Sequence, residues 1–398
     1  MTHSPPRLGL ILALFGTAFL YLCFFIPSGL NALASWTGSV AVDPGRESDF
    51  ARLWYAGREL ASSRFGIPLS PWVLAHFHTD LFASTGNIHD DWLYPPTMSL
   101  LALLFALLPL KTSFWLFNLF SLAMATWVLR FSGCSWRMIV LGFAGPASLQ
   151  CLIMGQNSVL LGSLLVSSLM LLERAPCRAG LLAGLLCLKP QAGLMLAAIV
   201  LPLNRLPVLL SASLSALALV TLSLLVEEIE SWTWYLTTGR HAAFEVLTTP
   251  FTQIFLGTGI TPFFMARSFS LSLPAAFTIQ GVSSALALAT GFQLWRRPYN
   301  LPSARIAATL CLAALATPYG YFYDLAGFEI AVAAMIFSSP SRLRPLFALA
   351  WSAPGTIAMV SLSAHHIMMP LLLLATLLLA LYAERLSGSS AANSSACS

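Results

Sequence analysis

The chain has 398 residues, of which 58% are hydrophobic and 9% charged, with a mean hydropathy of +0.80. Ordinary soluble domains carry about 25% charged residues, and a soluble fold of this length could not cover its surface with so few, so the reading is a polytopic all-α membrane protein. The formal charge of +5 arises from 20 Lys+Arg against 15 Asp+Glu. The basic residues stand singly or in pairs, without a basic tract or an aromatic–basic platform, which disfavours nucleic-acid binding.

Arg7 precedes an apolar run from Leu8 to about Pro27. Although Ala32-Leu33-Ala34 resembles a signal-peptidase site, a run of about 20 residues suits an uncleaved spanning helix better than a signal segment. Its N-terminus is placed in the cytoplasm. Further apolar segments follow at 97–110, 112–130, 137–153, 156–173, 179–203, 206–226, 274–294, 303–317, 323–338, 343–361 and 366–383, predicting a bundle of about 10–12 transmembrane helices over residues 1–385. Two polar interruptions, 28–95 and 227–273, hold 11 of the 15 acidic residues. The Ser/Ala/Gly-rich tail, 386–398, is expected to be disordered.

Arg-bearing short loops face the cytoplasm. Arg385, Arg342/Arg344 and Arg296/Arg297/Arg305 alternate consistently from the C-terminus, and both polar loops fall outside. In the middle the parity fails: Arg130/Arg137 and Arg174/Arg178 are both inside only if 97–130 or 179–203 contains a half-helix or re-entrant turn. Pro109 and Lys189-Pro190 are the candidate breaks, and broken helices at membrane depth often line a site.

In the first outer loop, Ser48 suits an N-cap, and the stretch Asp49–Ala61 sets Phe50, Leu53, Trp54, Gly57 and Leu60 along one helical face. A second stretch, 71–83, aligns Trp72, Ala75, Thr79 and Phe82. Both read as amphipathic helices in the membrane interface, or as surface helices capping the bundle.

Ionisable side chains in apolar segments are costly and suggest function. Lys189 reads as a cation for an anionic group such as a phosphate, or as a snorkelling lysine at a helix end. Asp324 closes a run holding Tyr319, Tyr321 and Tyr323 around Pro318 and Gly320, a polar turn suited to sugar hydroxyls or an interfacial aromatic belt. Glu329 reads as a paired structural carboxylate. Gln156-Asn157 is an amide pair that reads hydroxyls or bonds across helices. His365-His366 and Asp90-Asp91 find no third ligand at metal-binding spacing, and the seven cysteines form no CxxC pair, so neither a metal site nor a disulfide framework is expected. Phosphate-loop, dinucleotide and serine-hydrolase motifs are lacking.

Several pieces, in order, resemble glycosyltransferase family 87 of the GT-C superfamily: Ser48-Asp49-Phe50 with Tyr55-Ala56-Gly57-Arg58, Tyr94-Pro95-Pro96, Leu107-Leu108-Pro109-Leu110, Gly155-Gln156-Asn157, Gly180 to Gly184 running into Lys189-Pro190, and Thr317-Pro318 with Tyr323-Asp324-Leu325. The resemblance spans about 48–325. It implies a GT-C bundle with interface helices in its first outer loop and a polyprenyl-phosphate-linked sugar donor used on the extracytoplasmic face. By position, Asp49 matches the catalytic aspartate of that loop. Thr317-Pro318 match a Ser-Pro that in some members precedes a tryptophan and two histidines. Tyr323 and Asp324 stand at the two histidine positions, which points to a subgroup with another substrate.

A departing lipid phosphate needs little nucleophilic help, so the site requires a base for the acceptor hydroxyl and cations for the phosphate. Asp49 is the candidate base. Arg52, Arg58, Lys189 and Arg240 are candidate phosphate partners. Tyr55, Tyr94, Gln156, Asn157, Tyr319, Tyr323 and Asp324 complete the expected substrate-binding set. No cofactor is implied, and with one phosphate to neutralise a divalent metal is not obligatory. The expectation is an inverting glycosyltransferase of a bacterial inner membrane, moving a hexose, mannose by the resemblance, to a lipid or glycan acceptor. A transporter or flippase of lipid-linked sugars shares most of these features but commonly shows an internal repeat, which this sequence lacks. A non-catalytic lipid-binding subunit is the other rival.

Overall fold

The structure, a computed structural model, describes residues 49–62, 93–203, 205–251 and 258–395. The expected first helix at 8–27, Ser48, the stretch 71–83 and Asp90-Asp91 lie outside them.

Helix α1 (Asp49–Ser62) forms where the amphipathic pattern placed it, with Phe50, Leu53, Trp54, Tyr55 and Leu60 buried and Arg58 exposed. It packs along α2 (Pro96–Ala106), and Gly57 permits the approach, since a Cβ there would fall on the Ala102 carbonyl. The Trp54 indole donates to the Leu108 carbonyl at 2.8 Å, and Phe50 packs edge-on against Phe114 of α3 (Leu110–Phe131) at 5.7 Å between centroids. Pro109 separates α2 from α3, as a residue that cannot continue a helix would.

The chain continues through α4 (Trp136–Phe143) and α5 (Pro146–Met154), two halves of one span bent by 63°. Next come α6 (Ser158–Leu171), α7 (Pro176–Gly184), two 3₁₀ turns at Leu185–Leu188 and Pro190–Gly193, α8 (Leu194–Val200) and α9 (Leu206–Val226). The second polar loop holds α10 (Ile229–Leu236), α11 (Thr238–Thr248) and α12 (Pro262–Ser268). The bundle closes with α13 (Leu273–Trp295), α14 (Pro302–Ala316), α15 (Ala326–Ser338), α16 (Arg344–Ala364) and α17 (Met369–Ser395). Among the described residues five helices are long and apolar enough to cross a membrane, six with the bent pair, and five shorter apolar helices accompany them.

Long-range contacts sort the turns into two ends. At the basic end Arg305 donates to both carboxylate oxygens of Glu173 at 2.9 Å, stacking 3.9 Å above the Trp295 ring. Arg205 lies 3.8 Å from the same Glu173, Arg174 covers Gly133, Ser303 meets Ser338, and Glu384 accepts from the Asn300 and Leu301 amides. Glu173 and Arg205 flank 179–203 yet touch each other. That segment is therefore a hairpin that climbs to Lys189, turns at Pro190 and returns. Its tip is held where the Thr97 hydroxyl donates to the Cys187 carbonyl at 2.9 Å. Helix α2, between Thr97 at that tip and the start of α3, stays at the opposite end. Sequence parity called for a half-helix or re-entrant turn in 97–130 or in 179–203, and the chain is broken by short apolar helices in both.

Helix α9 stands apart, with 11% of its span buried. It leans on α7 where Gly180 and Gly184 let Ser211 and Ser215 approach, and leaves Leu210, Leu214 and Leu217 exposed, the close small-residue packing typical of helices in lipid. Helix α17 runs on to Ser395. Glu384 pins it to the turn at Asn300.

Candidate active site

The mouth opposite the basic end is assembled from five separate stretches of chain. Helix α5 ends at Gly155, whose φ of 63° is a left-handed conformation open to glycine at little cost. The Gln156 amide then closes back on the Cys151 carbonyl at 2.8 Å, and the Cys151 thiol donates to the Gln156 carbonyl at 3.0 Å. This turn aims the Gln156 side chain at α1. Its Nε2 donates to Asp49 Oδ2 at 2.6 Å, while its Oε1 accepts from the Tyr94 hydroxyl at 3.1 Å. Arg52, one turn along α1, places its guanidinium 3.5 Å from Asp49 Oδ1.

The second carboxylate is wired differently. Asp324 Oδ1 accepts from Lys189 Nζ at 2.5 Å and from the Ser158 hydroxyl at 2.7 Å, and its Oδ2 accepts from the Tyr321 amide at 3.1 Å. Lys189 also lies 5.5 Å above the Tyr323 ring. Tyr319, Tyr321 and Tyr323 form a continuous aromatic wall, with successive centroids 5.1 and 5.9 Å apart. Their loop is docked on 258–261 by the Ile260 amide to the Gly320 carbonyl and the Thr261 hydroxyl to the Pro318 carbonyl, both 3.1 Å. Beside this wall a cavity of about 80 Å³ is lined by Ser158, Lys189, Tyr319 and Asp324 at its polar end and by Leu161, Leu310, Ala313 and Phe328 deeper in.

Burial, reinforced by the negative charge of Asp49, holds the Tyr94 hydroxyl well above the usual phenol range. Burial does the same for Tyr319, Tyr321 and Tyr323, and the charges of both Asp49 and Asp324 add to it at Tyr321 and Tyr323. These phenols stay neutral near neutral pH, and their hydroxyls remain hydrogen-bond donors.

Of the residues singled out from sequence, Asp49, Arg52, Tyr94 and Gln156 come together, as do Lys189, Tyr319, Tyr323 and Asp324. Tyr55 is buried in the cluster under α1 instead. Arg58 stacks at 5.0 Å on Trp54, about 13 Å along the helix from Asp49 at 1.5 Å per residue. Asn157 Nδ2 reaches Met98 Sδ at 3.6 Å, and its buried Oδ1 has no hydrogen-bond partner. Arg240 is exposed on α11. His365 takes a left-handed φ of 56° at the end of α16, and His366 stacks on Phe269 with its Nδ1 3.0 Å from the Ser268 carbonyl. The sequence reading missed Ser158, which donates to Asp324 and whose only signal is that it adjoins Asn157. Tyr321, read as part of the polar turn, holds Asp324 through its backbone amide.

A helical membrane bundle with two carboxylates, an amide and neutral phenols at one mouth is suited to holding a polyhydroxyl substrate. Residues 92–318, more than half the chain, match the family model for glycosyltransferase family 87, and the chain belongs to that family. It is a membrane glycosyltransferase. The match takes in Tyr94, Gln156, Asn157 and Lys189, while Asp49, Arg52, Tyr319, Tyr323 and Asp324 lie outside it. Comparison with curated proteins and with solved structures gives no match.

Proposed function

We propose that this chain transfers a hexose, mannose first among candidates, from a polyprenyl-phosphate donor to a lipid or glycan acceptor on the extracytoplasmic face of a bacterial inner membrane. The transfer inverts the anomeric centre, with Asp49 as general base. The observation that carries the assignment is the contrast between the two carboxylates. Asp324 is saturated by an ammonium, a hydroxyl and a backbone amide, which fixes it as an acceptor already in use. Asp49 takes one short bond from Gln156 and a longer contact from Arg52, and its side chain is 25% exposed. It keeps lone pairs for an incoming hydroxyl.

In this reading the acceptor oxygen attacks the anomeric carbon as its proton passes to the Asp49 carboxylate. The bond from that carbon to the phosphate oxygen breaks, and the polyprenyl phosphate departs with the electron pair. Arg52 is the cation beside Asp49 for the phosphate. Lys189, engaged with Asp324, orients that carboxylate and shares any phosphate contact with it. The Tyr94 and Gln156 polar groups and the tyrosine wall meet sugar hydroxyls and the apolar face of the ring.

The test is sugar transfer by purified protein in liposomes from radiolabelled polyprenyl-phosphate-mannose to an acceptor-lipid extract, with Asp49→Asn alongside. Removing a general base lowers turnover by about 10²–10⁴-fold. Full activity in the variant at normal expression refutes the base. Label that crosses the bilayer without transfer supports a flippase instead.

A further inference from the structure

We infer that Glu329 is a positioning residue for Asp49, acting through the half-helix α5; the inference rests on the reading of Asp49 as the base. Glu329 sits in the first turn of α15 and is 0% exposed. No cation pairs with it among the described residues. Its partners are backbone: Oε1 accepts from the Ala147 amide at 2.6 Å and Oε2 from the Ser148 amide at 2.9 Å. Helix α5 begins at Pro146 after Gly145, so it has no side chain of its own to cap its first turn. Exposed first-turn amides within a bundle need an acceptor, and a carboxylate there also meets the positive end of the helix dipole. Glu329 supplies both from some 180 residues away. Gly145 makes room for it, since a Cβ there would run into the Glu329 carboxylate.

The far end of α5 is equally fixed. Gly155 and Gln156 close onto the Leu152 and Cys151 carbonyls, and Cys151 Sγ accepts from the Val159 amide at 3.3 Å. Helix α5 is thus a strut of nine residues, about 13 Å long at 1.5 Å per residue. It is clamped by Glu329 at its start and delivers Gln156 to Asp49 at its end. The strut joins α4 through a 63° bend, so α4 does not set its axis. The same short stretch of chain governs both halves of the site: Asp324 holds Lys189, and Glu329, five residues on, sets the strut that carries Gln156.

The experiment compares wild type, Glu329→Gln, Glu329→Asp, Gln156→Ala and the Glu329→Gln/Gln156→Ala double variant of the full chain in detergent. Transfer kinetics are measured together with hydrogen exchange by mass spectrometry without substrate. Glutamine keeps the size but turns an N–H toward one of the two amides, whereas aspartate keeps both acceptors on a shorter stem. A misplacement on the order of 1 Å can cost about 10²-fold in rate. The expected result is a loss of kcat of about ten- to a hundredfold in Glu329→Gln, with a KM that moves no further than in Gln156→Ala, partly restored in Glu329→Asp. The double variant should be no slower than Gln156→Ala alone, and amides of 147–157 should exchange faster while those of α14 and α16 keep wild-type rates. Losses that multiply in the double variant, or unchanged exchange over 147–157, overturn the inference. Undiminished transfer by Asp49→Asn defeats the base reading instead, and the exchange arm then still decides whether Glu329 holds the strut.

Discussion

Replacing Lys189 with methionine keeps most of the side-chain length and removes the charge that Asp324 faces. The Lys189 side chain is 6% exposed and that of Asp324 is 20% exposed, so the pair is largely withdrawn from water. Breaking a buried ion pair from one side costs about 3–5 kcal/mol, because a charge is left without its partner. Asp324 retains the Ser158 hydroxyl and the Tyr321 amide, which puts Lys189→Met near the lower figure, about 3 kcal/mol, or more than a hundredfold in the unfolding equilibrium. Asp324→Asn strands the lysine with the Tyr323 ring for company, worth about 1–2 kcal/mol of relief, so its loss is similar. The double variant removes both charges and recovers to within about 1 kcal/mol of wild type, since a neutral pair carries no desolvation debt. Denaturant titration in micelles, followed by tryptophan fluorescence, reads all four proteins. Single variants as stable as wild type, or a double variant that sums the two losses, would refute the reasoning.

Glu227 is 2% exposed and faces the Ser99 and Ser231 hydroxyls, and burial raises it above the usual carboxylate range. A folded-state value above the unfolded one means that its contribution is present below the ordinary value of 4.5 and lost as pH rises through the raised one. Glu227→Gln should therefore gain thermal stability over wild type at about pH 8 and little at about pH 4. Glu173 shifts the other way, held below its ordinary 4.5 chiefly by its hydrogen bonds from Arg305. Its contribution is full above that value and drains as pH falls, so Arg305→Gln should flatten the acid limb of a melting-temperature profile. Gly155→Ala places a Cβ against the Phe50 side chain at a φ of 63°. A left-handed non-glycine residue alone costs about 1–2 kcal/mol, and the clash adds to it, so the variant should melt earlier and expose α1 to limited proteolysis.

The spans were legible because burial in lipid or protein demands long apolar runs, and helices such as α9 and α13 begin and end within a residue or two of the hydropathy edges. The amphipathic face of α1 was legible for the same reason, since Phe50, Leu53, Trp54 and Leu60 repeat at helical spacing. The direction of the chain after a break was hidden. Pro190 announces that a helix stops, and says nothing of whether the next one continues or returns. Partnerships were hidden as well. Lys189 and Asp324 were each conspicuous as charges in apolar surroundings, but nothing local joins residues 135 positions apart. Glu329 was expected to have a partner, and that partner is two backbone amides, a kind of group every residue but proline carries and no composition reveals.

The separation of Lys189 from Asp324 also bears on how the protein is made. The hairpin that carries the lysine leaves the ribosome well before α15, and at about 5–20 residues per second roughly 7 to 27 seconds pass before Asp324 is synthesised. During that interval the hairpin tip holds an ammonium without its Asp324 partner, and the strut bearing Gln156 has no Glu329 at its start. The mouth is therefore among the last parts of the chain to be completed. A truncation anywhere before residue 324 leaves both carboxylate anchors unmade, however well the earlier helices have inserted.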